Sequence, residues 1–171
     1  NGPTTCEANA ANAVLGTGVK LVNGNWEALD MQGGPSQAAG GIMVYDPGAD
    51  LMVSFGGYDR CADTYSKQTL LWDGNAWRTP LKPTPLSLTP RAGMAAIYDP
   101  VTEQVVMYGG HDASGALAET WVWSVETGWS MVIGAGQPGP RTGAALGTDP
   151  ASQTLILFGG NDQSQICYGP S

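Results

Sequence analysis

The sequence predicts an all-β chain built from a repeated unit, and three observations carry that expectation. Glycine and proline are dense, with 25 Gly and 12 Pro in 171 residues. Each costs about 1 to 3 kcal/mol inside a helix, so long helices are nearly excluded. The chain is nonetheless 42% hydrophobic and only 13% charged, enough to fill a core and unlike the composition of disordered chains. The third observation is internal. Gly40-Gly-Ile-Met-Val-Tyr-Asp-Pro47, Gly93-Met-Ala-Ala-Ile-Tyr-Asp-Pro100 and Gly143-Ala-Ala-Leu-Gly-Thr-Asp-Pro150 align without a gap. Each is followed at the same distance by an apolar run ending in Gly-Gly, at Gly57, Gly110 and Gly160. The Asp-Pro steps are spaced by 53 and 50 residues, and the glycine pairs keep the same spacings. A period near 50 in such a chain means one supersecondary unit repeated.

The elements follow in order. A half-unit spans residues 13–30, where Val19-Lys-Leu-Val-Asn-Gly-Asn-Trp26 matches the later part of a unit, because Trp26 precedes Trp77 by 51 residues. In the unit at 38–85, the stretch before Asp46-Pro47 is a first strand. Asp-Pro then starts a turn, since Pro presets φ and Asp can bond the following backbone. The run Leu51–Phe55 is apolar on both faces, as expected of a strand buried between neighbouring sheets. Gly56-Gly57 ends it where the backbone must bend or approach another segment closely. Thr69-Leu-Leu-Trp72 is a third strand and Trp77 opens a fourth. The unit at 90–135 repeats this order through Thr120-Trp-Val-Trp123 and Trp129. Residues 141–160 supply a first and second strand only, and 161–171 read as a tail. The tryptophans read as packing residues, with Trp121 or Trp123 expected to be the more exposed exception. Four strands per unit of this length describe a propeller blade.

The three Gly-Gly pairs, Tyr45 and Tyr98 before Asp-Pro, and the spaced Trp72/Trp77 and Trp123/Trp129 carry a resemblance to the kelch repeat family over about residues 19–160. The resemblance implies a kelch-type β-propeller or partial propeller in a single domain, 1–171. It would hold two complete four-stranded blades plus two complementary half-blades, three blade equivalents in all. It does not imply one function, because kelch propellers serve as adaptors, carbohydrate oxidases, epimerases and extracellular scaffolds. In closed propellers of this family the N-terminal and C-terminal strands share a blade. Three blades are too few to close, since propellers have about 4 to 8, and an open half-blade exposes a sheet edge. Two chains could exchange halves in a six-bladed ring, or successive chains could complete one another as a fibre. Alternatively, the sequence is a piece of a longer propeller.

Charge and cysteine usage narrow the partners. The formal net charge is −8, which repels phosphate and disfavours nucleic acid and anionic membranes. No apolar run approaches the roughly 18 residues that span a bilayer. The chain begins at Asn1 without a basic-then-apolar leader, as expected of a mature form or a piece. Cys6, Cys61 and Cys167 form no close pair, and His111 is the single histidine, so a structural zinc site is not expected. An acidic, lysine-poor composition suggests an extracellular setting, where a disulfide persists. Cys6 and Cys167 would fall in one loop of a composite blade, making Cys6–Cys167 the expected staple. The alternative pairs Cys61 with one of them.

Candidate chemistry gathers after the glycine pairs, at Tyr58-Asp59, His111-Asp112 and Asn161-Asp162. With Arg91 and Arg141 these residues form a candidate ligand face: Tyr58, Asp59, Arg91, His111, Asp112, Arg141 and Asp162. Such a face could bind a polar ligand such as a sugar. The competing expectation is structural: each Asp caps its loop, and Pro90-Arg91 and Pro140-Arg141 brace it through an ion pair. His111 beside Asp112 lacks a nucleophile flagged by context, and one histidine cannot furnish the ligand set of the copper oxidases in this family. No cofactor is expected. Thr79–Pro90 reads as an extended, polyproline-like connector, with Thr79, Thr84, Ser87 and Thr89 as candidate O-glycan acceptors. No Asn-x-Ser/Thr occurs. The expected function is a non-enzymatic extracellular structural or binding module whose incomplete end blades drive self-assembly, with carbohydrate as candidate ligand. The alternative is a fragment of a larger secreted carbohydrate-binding or carbohydrate-active kelch propeller.

Overall fold

A computed structural model describes residues 17–30, 33–35 and 38–162. Among the described residues every regular element is a strand, as the glycine and proline content predicts. Strands β1 (Thr17–Val22) and β2 (Asn25–Asp30) form a hairpin through Asn23-Gly24, both with positive φ, the backbone that a tight two-residue turn requires. The next unit holds β3 (Ala38–Ala39), β4 (Ile42–Asp46), β5 (Leu51–Phe55), β6 (Tyr58–Asp59), β7 (Thr64–Tyr65), β8 (Thr69–Trp72) and β9 (Trp77–Arg78). The third holds β10 (Ala95–Asp99), β11 (Gln104–Tyr108), β12 (His111–Asp112), β13 (Gly115–Ala116), β14 (Thr120–Ser124) and β15 (Gly128–Met131). Last come β16 (Thr142–Asp149) and β17 (Thr154–Asn161).

Two antiparallel sheets have four strands, in the orders β4-β5-β8-β9 and β10-β11-β14-β15. β1-β2 and β16-β17 are two-stranded, and the small ladders β3-β6-β7 and β12-β13 lie at the Gly-Gly ends. Pairing registers put all units in phase. Asp46 opposes Leu51, Asp99 opposes Gln104 and Asp149 opposes Thr154. At the outer strands Trp72 opposes Trp77, Trp123 opposes Trp129 and Leu21 opposes Trp26. β16–β17 therefore matches the inner half of a four-stranded sheet, and β1–β2 matches the outer half.

The turns repeat as well. Asp46 Oδ1 accepts the Gly48 and Ala49 N–H groups at 3.0 and 3.2 Å, Asp99 Oδ1 accepts Val101 N–H at 3.0 Å, and Asp149 Oδ1 accepts Ala151 N–H at 2.9 Å. Each turn closes on a left-handed residue, Asp50, Glu103 or Gln153.

The sheets pack side by side with β10 between β4 and β16. At their starts Gly93 N–H donates to Gly40 O at 2.8 Å, and Gly143 N–H donates to Gly93 O at 2.9 Å. A second clamp joins the first two glycine pairs to the unit that follows each: Gly57 N–H donates to Arg91 O at 2.8 Å and Gly110 N–H to Arg141 O at 3.0 Å. A Cβ on Gly56 would stand 2.6 Å from Arg91 O, so this close approach requires glycine. One core cluster includes Val53, Phe55, Leu71, Val105, Met107, Trp121, Trp123 and Trp129. The Phe55 and Trp129 rings meet between sheets at 5.3 Å, and Trp129 Nε1 donates to Thr69 Oγ1 at 3.1 Å. The expected exposure of Trp121 or Trp123 is corrected: they are 2% and 1% exposed. Residues two apart share a strand face, and this face is the one turned to the core. The Thr79–Pro90 connector is anchored by fully buried Leu88 and by a Thr84–Thr69 hydroxyl bond of 2.7 Å.

Candidate functional site

The short ladders at the Gly-Gly ends bring part of the predicted ligand face together. The β6–β7 ladder sets Tyr58 opposite Tyr65, and their rings are 4.8 Å apart at 47°. Tyr65 meets the edge of the His111 ring at 5.5 Å. His111 Nδ1 and Thr142 Oγ1 are 2.8 Å apart, and Thr142 Oγ1 also donates to Gly93 O at 3.3 Å. A continuous chain of contacts thus crosses three sheets. Tyr58 OH donates to Asp63 Oδ1, and that bond is the main cause raising the Tyr58 pKa above the ordinary tyrosine value.

The aspartates act as caps. Asp59 Oδ1 accepts the Cys61 and Ala62 N–H groups at 2.9 and 3.1 Å, and Asp112 Oδ1 accepts Ser114 N–H at 2.7 Å. His111 bonds Thr142 rather than its neighbour Asp112, so the pair is not arranged as a proton-transfer dyad.

The expected brace between Arg91 and a loop Asp is corrected. Arg91 is fully buried and its guanidinium pairs with Glu119 Oε2 at 2.6 Å. It also donates to Thr89 O, Thr89 Oγ1 and Gly109 O. Thr89 alone links it to Asp112, donating to Oδ2 at 3.4 Å. Arg141 copies two of these bonds, donating to Gly139 O and Gly159 O at 3.2 Å each. The reason is geometric: each arginine precedes the first strand of its sheet and reaches the end of the second strand. Glu119, just before the third strand, is the acid that this placement offers. Arg141 and Asp162 line a separate open groove with Gly139, Pro140, Gly160 and Asn161.

Other predicted positions are distributed as follows. Of the glycan candidates, Thr79 and Ser87 are exposed, whereas Thr84 and Thr89 are engaged in the bonds above. The Cys6–Cys167 staple lies outside the described residues, and Cys61 is bonded rather than free. Among the described residues no group of His, Cys, Asp and Glu is placed to hold a metal.

A second feature is the open edge of the half-sheets. Among the described residues β17 pairs only with β16, whereas its counterparts β5 and β11 each pair on both edges. Phe158 is 79% exposed, while its register equivalents Phe55 and Tyr108 are 0% and 4% exposed. Ile156 is open where Val53 and Val106 are buried. On the hairpin, Val19, Leu21 and Trp26 are exposed, where Trp121, Trp123 and Trp129 are buried. Sequence reasoning did not anticipate Tyr65, Thr142 or Glu119. Alignment of Phe158 with Phe55 could have found the open ring.

No known family model matches the chain, and no curated protein matches it.

Proposed function

We infer that this chain is a kelch-type β-propeller segment that acts as a non-enzymatic, extracellular structural module, completing its end blades between chains. One observation carries this reading. Ile156 and Phe158 on β17 and Val19 and Leu21 on the β1–β2 hairpin are open at positions whose register equivalents are buried in both complete sheets. Burying a large apolar side chain is worth about 1.5 to 3 kcal/mol, so such edges favour association. The kelch assignment rests on the repeated Gly-Gly, Asp-Pro and Trp signals, and on sheet-to-sheet clamps that recur at Arg91 and Arg141. The acidic composition supports the extracellular setting. The bonded state of Cys61 favours a bridge from Cys61 to Cys6 or Cys167 over the Cys6–Cys167 staple.

The test is the mass of the native particle, by light scattering after size exclusion, with and without reductant. A particle of twice 17.7 kDa, or long particles of uniform width, is expected. A lone monomer with a cooperative melt overturns the assembly reading. That result would favour the second reading, a segment of a carbohydrate-binding propeller, whose supporting observation is the Tyr58–Tyr65–His111 cluster.

A further inference from the structure

The open edge and the open hairpin specify how they would join. In both complete sheets the second and third strands pair in one register: Val53 with Leu71 and Ser54 with Leu70, Val106 with Val122 and Met107 with Trp121. The Asp-Pro turns align Leu157 with Met107, and the outer hairpins align Val19 with Trp121. Met107 and Trp121 are buried at 0% and 2% exposure, so the corresponding pair belongs to a sheet interior. The faces follow the same rule. Phe55 meets Trp129 of the adjacent sheet at 5.3 Å. Phe158 is equivalent to Phe55, and Trp77 is equivalent to Trp129. Trp77 Nε1 is buried without a hydrogen-bond partner, although its equivalent on Trp129 donates to Thr69 of the neighbouring sheet.

We propose that a second copy of this chain completes the β16–β17 sheet through one register. Its β1–β2 hairpin adds to the edge of β17 that carries no strand among the described residues, with Val19 opposite Leu157, and its β4–β9 sheet closes over Phe158 with Trp77. This rests on the self-assembly reading above and makes it specific: β17 accepts, and the partner's hairpin donates. Side chains directly opposite on paired strands lie about 4.5 to 5.5 Å apart at Cβ, close enough for a short thiol cross-linker. A slip by one residue turns the hairpin's apolar face to the wrong side.

The test mixes two full-length variants, Val19→Cys and Leu157→Cys, and treats the mixture with a short bis-maleimide. Expected is a covalent species of twice the chain mass in the mixture and not in either variant alone, with peptide mass mapping joining the two introduced thiols. Replacing Val19→Cys by Lys20→Cys should lose most of that product. Phe158→Ala, a change at an exposed position that leaves the monomer fold intact, should weaken association by at least roughly tenfold. Association by light scattering without the Val19–Leu157 product overturns the register while self-assembly stands. Absence of association overturns both.

Discussion

At the scale of single residues, two nearly identical arginines separate what the sequence encodes from what the sheets decide. Arg91 and Arg141 share the preceding proline and the same two carbonyl contacts, yet only Arg91 is fully buried and salt-bridged. Removing one member of a buried ion pair costs about 3 to 5 kcal/mol. Glu119 is partly exposed, which places Arg91→Met near the lower bound, at about 3 kcal/mol in denaturant unfolding. Arg141→Met should cost less than about 1 kcal/mol. A second residue-scale prediction concerns pH. Asp149 titrates below the ordinary carboxylate range because Ser152 Oγ donates to it, with Ala151 N–H adding a further bond. Since its folded pKa is depressed, this carboxylate's contribution to stability is present above the unfolded value of about 3.9. The contribution is lost as pH falls through the folded value. Ser152→Ala should move the Asp149 titration upward, read from the side-chain carbon shifts by NMR.

At the scale of elements, the glycine pairs show how much was legible and why. Their spacing alone fixed the phase of the units, because a strand end that approaches another backbone tolerates no side chain there. Gly56→Ala would set a Cβ 2.6 Å from Arg91 O at a positive φ. It should destabilise by more than the roughly 1 kcal/mol expected of Gly74→Ala, which has a positive φ but open space around it. Thermal melts of the two variants compare them directly. The loop aspartates were legible too, since an Asx cap is local and Asp59 finds its donors two and three residues ahead. The Arg91–Glu119 pair was not, because the partners lie 28 residues apart and meet only once β11 and β14 pair. The Tyr58–Tyr65–His111–Thr142 chain escaped for the same reason: it crosses three sheets, and no spacing in the sequence announces contacts between sheets. The tryptophans mark the reverse case. Trp121 and Trp123 are two apart on one strand, and their common burial follows from the pleat once the core side is known.

At the scale of the whole molecule, the question is why, among the described residues, two half-sheets with apolar faces stand open beside two sheets that are closed. Strands β5 and β11 have neighbours on both edges, so their amide hydrogens exchange only through larger openings of the molecule. β17 pairs on one edge among the described residues, so its outward amides exchange through local fraying unless another strand covers them. Hydrogen exchange across a concentration series therefore separates the molecule into two classes. In dilute protein, outward-facing amides of β17 and β1 should exchange quickly while those of β5 and β11 stay protected. As concentration rises, protection should grow at β17 and β1 together, because one pairing event covers both edges, and should stay unchanged at β5 and β11. The melting temperature should climb over the same range, since anything that binds the folded form stabilises it by mass action. Protection appearing at β17 without β1 would mean that some other segment covers the edge. Uniform protection at all dilutions would mean that the half-sheets are already closed within one chain, and the assembly reading would fall.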